Sequence, residues 1–316
     1  MEVVAEHSMV TAGVPRLLQH TPLPHDALRY LAYDPVDRDE RRVPHWPMPP
    51  APAYRGQLND AFQAAQAAMR AGVRPADCHW YHEVPLRDGS RMCGAWDLIG
   101  GEDHYTGAVA LRGKRVLEFG PASGYITYFL ERVGAEVVAF EAGFDACIDL
   151  LAFGRSDVEA MRTNAMRFVA EVNNSWWWVK QHHNLDARIA YGDIYRMPDD
   201  LGMFDVTMFG AILLHLRDPF TALQQAAQVT TECLIVTDLV PLMGDPWRDA
   251  FSRFHPAPGD PTSWWLHTPA VVQRMLETLG FVEIERTRHT QYVRPSHALD
   301  QPLEPVEFFT LVARRP

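Results

Sequence analysis

The apolar positions of this 316-residue chain change period several times, and each change marks an element. Val116, Leu117 and Phe119 form a short apolar run, as in a strand buried on both faces. Gly120 and Gly124 bracket a turn, after which Ile126, Phe129 and Leu130 fall at helical spacing. The alternation continues downstream, predicting strands over 137–140, 187–193, 204–210, 233–238, 281–284 and 308–312. Met161, Ala165, Phe168, Val169 and Val172 recur as one helical stripe, and further helices are predicted over 219–229 and 269–279. Thr268 before Pro269 reads as an N-cap with proline in the first turn, and Gly280 as the stop. Strands alternating with helices predict an α/β fold, a mostly parallel sheet with helices on both faces. Ligands of such sheets bind beyond the carboxyl ends of the strands.

Upstream the pattern is weaker. Leu58, Ala61, Phe62, Ala65 and Met69 predict a helix over 57–70, with Gly72 at its end. Asp88-Gly89 predicts a turn between two short strands. Residues 1–54 have no clear period and include a proline cluster from Pro44 to Pro52, so they read as an extended arm. Leu17, Leu18, Leu28, Leu31 and Trp46 suggest that the arm packs on something. A surface-wrapping tail is the plain expectation; an arm exchanged within a homodimer is the sharper one. The chain thus divides into an N-terminal arm and cap over 1–105 and a main domain over 106–316. Trp176-Trp177-Trp178 would cover a wide arc of a helix, so at least one of them belongs in the core.

Composition narrows the classes. A hydrophobic content of 47% can bury a large core, and 40 acidic against 29 basic residues leave a net charge of -11. That balance argues against a broad nucleic-acid surface. Cys78, Cys93, Cys147 and Cys233 form no C-x-x-C pair and read as reduced thiols of a cytoplasmic protein. The N-terminus lacks a signal-peptide pattern, and no apolar stretch is long enough to span a bilayer. His182-His183 lacks the spacing of a helical metal pair, and no metal is expected.

Candidate chemistry gathers at the predicted strand ends. Glu118 precedes the glycine turn, where Gly120 and Gly124 leave bare backbone and the following helix offers unpaired N–H groups. Glu141 ends the next strand, where an acid commonly accepts from ribose hydroxyls. Asp193, followed by Ile194, ends the third strand and suits an adenine amino group. The fourth strand end runs from Gly210 through His215 to Asp218-Pro219, an N-cap with its proline. Trp80, Tyr81 and His82 sit together before the hairpin, either as core and lid or as the wall of a substrate site.

The spacing Glu118-x-Gly120-x-x-x-Gly124 resembles motif I of the class I S-adenosylmethionine-dependent methyltransferases, with Ala122 in place of that pattern's middle glycine. The dinucleotide fingerprint G-x-G-x-x-G is absent, which disfavours NAD. Trp80-Tyr81-His82, Asp88-Gly89, Gly94 and Asp97, the stretch from Leu213 to Pro219, and Trp264-Trp265 are similar to a functionally mixed set related to the tRNA wobble-uridine carboxymethyltransferases. The broader resemblance covers about 106–316 and implies a Rossmann-like fold with S-adenosylmethionine as cofactor. It implies Glu118, Gly120, Pro121, Gly124, Glu141, Asp193, Ile194 and Gly210 as the cofactor positions. The activity implied is methyl transfer to a small-molecule acceptor at N, O or S, an amino acid such as methionine with its thioether included. Tyr81, His82 and His215 are the candidates to orient the acceptor or take its proton, and Trp80, Tyr81, Trp264 and Trp265 to wall or close its pocket. Orientation is preferred, because no carboxylate is placed by sequence beside either imidazole. The alternatives are a tRNA-modifying methyltransferase, disfavoured by the acidic balance, and a non-catalytic module that retains the cofactor.

Overall fold

The apolar run before the glycine turn becomes an interior strand of an eight-stranded sheet in the computed structural model. The structure describes residues 55–142, 149–151, 158–255 and 262–316, which belong to one unit spanning 48–316. The arm expected over 1–54 and Cys147 lie outside the described residues.

The chain enters with helix α1 (Asp60–Met69), then the short strands β1 (Val84–Pro85), β2 (Arg91–Met92) and β3 (Trp96–Asp97), and a helical turn α2 (Glu102–Tyr105). β1 and β2 pair around the Asp88-Gly89 turn. The alternating part follows: β4 (Arg115–Phe119), α3 (Tyr125–Arg132), β5 (Glu136–Ala142), α4 (Val158–His183), β6 (Arg188–Gly192) and β7 (Phe204–Gly210). Next come α5 (Pro219–Val229), β8 (Thr230–Leu239), β9 (Ser252–Phe254), β10 (Trp265–His267), α6 (Pro269–Thr278), β11 (Glu283–Val293) and β12 (Glu304–Arg314).

The sheet order is β3-β11-β12-β8-β7-β4-β5-β6. β4 to β8 run parallel, and β12 is antiparallel to both its neighbours. The fold is Rossmann-like, a mostly parallel sheet closed at one side by antiparallel strands. Successive residues of β4 feed opposite faces: Val116 packs with Ile126, Trp176 and Trp177, and Leu117 with Leu223 and Leu276. Thus α3 and α4 cover one face, and α5 and α6 the other. From β4 the chain winds outward to β5 and β6, then returns to β7 on the other side. That reversal opens a crevice at the carboxyl ends of β4 and β7.

The helix starts follow the predicted chemistry. Asp218 accepts from Thr221 N at 3.0 Å ahead of Pro219, and Thr268 from Val271 N at 3.2 Å ahead of Pro269. The tryptophan triplet lies on α4, with Trp176 and Trp177 buried and Trp178 half-buried. Their indoles are satisfied: Trp176 donates to Thr127 Oγ1 at 2.9 Å and Trp177 to the Tyr191 hydroxyl at 2.8 Å.

α1 forms where its stripe predicts, but none of its residues is buried, and Met69 is 75% exposed. Phe62 and Ala67 are partly buried against the core, and side-chain amides add to that hold. Gln57 donates to Tyr191 O at 2.7 Å and accepts from Tyr191 N at 2.9 Å, while Gln63 donates to Ile189 O at 2.7 Å and accepts from Ile189 N at 3.2 Å. The two glutamines stand in for a further strand along the outer edge of β6. At the opposite side of the sheet β3 pairs with β11, so residues upstream of 106 share the main sheet.

Candidate functional site

A cleft of about 690 Å³ lies beyond the carboxyl ends of β4 to β7. Its floor is the glycine turn. Gly120, Ala122 and Gly124 have φ values of 65°, 46° and 82°, all in the left-handed region. A Cβ on Gly120 would come within 2.7 Å of Ile212 Cδ1, so backbone alone fits there. Ala122 follows the left-handed path without being glycine. Ser123 in the same turn is fully buried, and its hydroxyl accepts from Tyr81 N at 2.6 Å and His82 N at 3.2 Å. One serine thereby fixes the upstream aromatic segment against the turn.

Two carboxyl groups face this floor. Glu118 is buried, and its Oε2 accepts from Thr127 Oγ1 at 2.5 Å. Burial pushes it up to about 8, aided by the Glu141 charge and opposed by the Thr127 hydrogen bond. Half-buried Glu141 accepts from Ala142 N at 2.7 Å, and burial pushes it up to about 7. Neither pairs with a lysine or arginine among the described residues. Asp193 accepts from Tyr195 N at 2.9 Å and lines the cleft with Ile194. Gly210 lines it too, and a Cβ there would stand 2.4 Å from the Tyr105 hydroxyl oxygen.

Tyr81, His82 and His215 line the same cleft. His82 is buried, its Nδ1 has no partner, and its ring meets Tyr81 edge-on at 5.3 Å. Burial pushes His82 down to about 4, so the ring is neutral at neutral pH. His215 Nδ1 lies 3.1 Å from the Thr262 carbonyl, which makes Nδ1 the donor.

The remaining sequence candidates sit outside the lining. Pro121 is buried beside the turn, and Gly124 caps α3 against Trp176. Trp80 is buried, donates to Pro75 O at 3.2 Å and packs edge-on to Trp178. Trp264 and Trp265 buttress the rim: their indoles donate to Asp149 O at 3.0 Å and Arg217 O at 3.2 Å. Asp149 itself lines the cleft and accepts from Arg217 N at 2.9 Å and from the Tyr195 hydroxyl. Tyr105, Ser123, Asp149 and Tyr195 carry no periodic signal, and long-range contacts alone bring them here. The α4 stripe was legible as a helix face; that face, from Met161 to Val172, turns out to wall the cleft. Among the described residues no group of three or more His, Cys, Asp or Glu could hold a metal ion, and no helix is long and apolar enough to cross a membrane.

No family model matches the chain, and no curated protein matches it. Solved structures similar to it include the N-terminal domain of EvdMO1 in the presence of SAH and D-fucose, at 19% identity over 83% of this chain and 99% of that one, TM-score 0.46. Another is magnesium protoporphyrin IX methyltransferase from Synechocystis PCC 6803 with bound SAH, at 14% identity over 69% and 84%, TM-score 0.42. A third is the Burkholderia thailandensis 1,6-didemethyltoxoflavin-N1-methyltransferase, at 14% identity over 69% and 77%, TM-score 0.43. At these levels the similarities carry no argument about what this chain does.

Proposed function

We propose that the chain is a methyltransferase that uses S-adenosylmethionine and acts on a small molecule. The observation that carries this reading is the pair Glu118 and Glu141, two carboxyl groups without a basic partner among the described residues, beside a left-handed backbone turn at the sheet's switch point. Such a pair calls for a ligand with cationic and hydroxyl groups, and the cofactor offers an ammonium, a sulfonium and a ribose diol. The residues present therefore fit it: Glu118 toward the cationic end, Glu141 toward the ribose and Asp193 toward the base, with the bare backbone of Gly120 in the cleft lining. When bound, the cofactor would supply an electrophilic methyl on a sulfonium that leaves as a thioether; a hydroxyl acceptor would give up its proton in the transfer, and an ammonium acceptor would have to lose one beforehand.

This chain's own residues align the acceptor and exclude water. The cap over 1–105 supplies part of that enclosure, through Tyr81, His82, Trp96, Leu98 and Tyr105. His82 and His215 orient the acceptor; for His82, whose burial holds the imidazole well below its ordinary value, positioning suits the ring better than taking a proton. Four acids line the cleft, Glu118, Glu141, Asp149 and Asp193, which disfavours the tRNA reading by repulsion of phosphates.

Calorimetry with S-adenosylhomocysteine tests the cofactor assignment. The wild-type protein is expected to bind it, and Glu141→Ala to weaken binding by about 1–3 kcal/mol. A folded wild-type protein that binds neither the product nor the methyl donor ends this reading. Labelled methyl transfer into a metabolite extract separates the enzyme from a module that only holds the cofactor.

A further inference from the structure

Beyond the carboxylates the cleft changes character. Met161, Phe168 and Val172 of α4 line one part, and Trp96, Leu98 and Phe308 another, with Trp96 set edge-on against Phe308 at 5.5 Å. Two polar groups border these apolar surroundings: His82 Nδ1, buried without a hydrogen-bond partner among the described residues, and the Tyr105 hydroxyl, which forms no hydrogen bond with another described residue. Both side chains are more than nine-tenths buried, at 7% and 4% exposure. The Tyr105 oxygen stands where a side chain on Gly210 would stand, so β7 ends in glycine at the point where this hydroxyl needs space. A buried polar atom without a partner, as His82 Nδ1 is, costs free energy, and a ligand that satisfies it gains the difference. No lysine or arginine is among the described residues lining the cleft.

We propose that Tyr105 and His82 are the paired polar contacts for the acceptor, and that the acceptor is a largely apolar molecule presenting an uncharged hydroxyl rather than a carboxylate, a phosphate or a free amino acid. This rests on the methyltransferase reading above. The Tyr105 phenol donates to the acceptor oxygen, and the neutral His82 ring accepts from its O–H. Apolar walls exclude water and an anionic acceptor finds no counter-charge.

The test uses the full chain saturated with S-adenosylhomocysteine and three probes of one shape: naphthalene, 2-naphthol and 2-naphthoate. The wild type is expected to bind 2-naphthol roughly tenfold more tightly than naphthalene, and 2-naphthoate more weakly than either. In Tyr105→Phe and in His82→Gln the naphthol preference is expected to shrink toward unity, while naphthalene binding and S-adenosylhomocysteine affinity stay at wild-type values. A purely structural role would move all the probes together. Tighter binding of 2-naphthoate, an unchanged naphthol preference in both variants, or no binding of 2-naphthol overturns the proposal. Failure of the protein to bind S-adenosylhomocysteine would instead sink the methyltransferase reading, so the two failures are told apart. If Tyr105→Phe does not fold, the His82→Gln ratio decides.

Discussion

Ala122 holds φ 46° in the middle of the turn, where an L side chain costs about 1–2 kcal/mol. Part of that is offset by the smaller unfolded-state entropy of alanine, so Ala122→Gly should raise stability by up to about 1 kcal/mol, and the β-branched Ala122→Val should lower it by more. Thermal denaturation of the three proteins checks the order. The carboxyl pair gives a second expectation. Glu118 and Glu141 titrate near 8 and 7, against an ordinary value of 4.5. Above pH 4.5 the unfolded chain releases protons that the ligand-free folded protein retains, so its stability should fall as pH rises from there toward 8. The ionised pair is what a cationic ligand needs, so S-adenosylhomocysteine affinity should rise between about pH 6 and 8. Calorimetry at several pH values that shows a flat or falling affinity would remove both residues from the site. His82 runs oppositely: its folded value near 4 lies below the ordinary 6.5, so its contribution is lost as pH falls from 6.5 toward 4. The turnover profile should therefore lack a His82 limb near neutrality, and His82→Gln should raise the acceptor KM more than it lowers kcat. Glu118, Glu141 and Asp193 were legible because an acid at a strand end is placed by chain order alone. Ser123 and Tyr105 were not, because their roles arise from partners far along the chain, 42 residues away for Ser123 and Tyr81.

At the scale of elements, the buried parallel strands and their helices announced themselves by apolar runs and caps. β11 did not: of its eleven residues the sequence predicted only the first two, because most face solvent and its buried side chains include the polar His289 and Gln291. Those two are paired within the sheet, with Gln291 Nε2 3.0 Å from His289 Nδ1 and His289 Nε2 3.0 Å from Thr310 Oγ1. α1 was legible as a stripe, of which Phe62 packs against the core, but the hold of Gln57 and Gln63 on backbone groups of β6 was not. Replacing either glutamine by leucine should cost about 1–3 kcal/mol, since it strands a backbone donor and acceptor that the amide had satisfied. Urea denaturation measures the loss; an unchanged midpoint in both variants would mean that the amides contribute nothing.

For the whole molecule, a mostly parallel sheet and a cap bearing Tyr81 and His82 followed from the sequence, but the strand order and the joining of the upstream third to the sheet did not. Its Trp80 and Val84 are core residues, β3 joins the sheet, and Tyr81 and His82 reach the cleft. A chain beginning at Tyr105 should therefore lose turnover and also expose the β6 edge, visible as concentration-dependent association in sedimentation. Full activity in a monodisperse truncated chain would show that the cap is dispensable. The glutamine contacts also bear on the order in which the fold is acquired. Gln57 and Tyr191 are separated by 134 positions, so α1 leaves the ribosome long before the strand it must recognise. Loops of that span close late, after β4, β5 and β6 have assembled through nearer contacts. α1 should then be the last helix to dock and the first to release. In native-state hydrogen exchange its amides should open at low denaturant, well before those of β4 and β7.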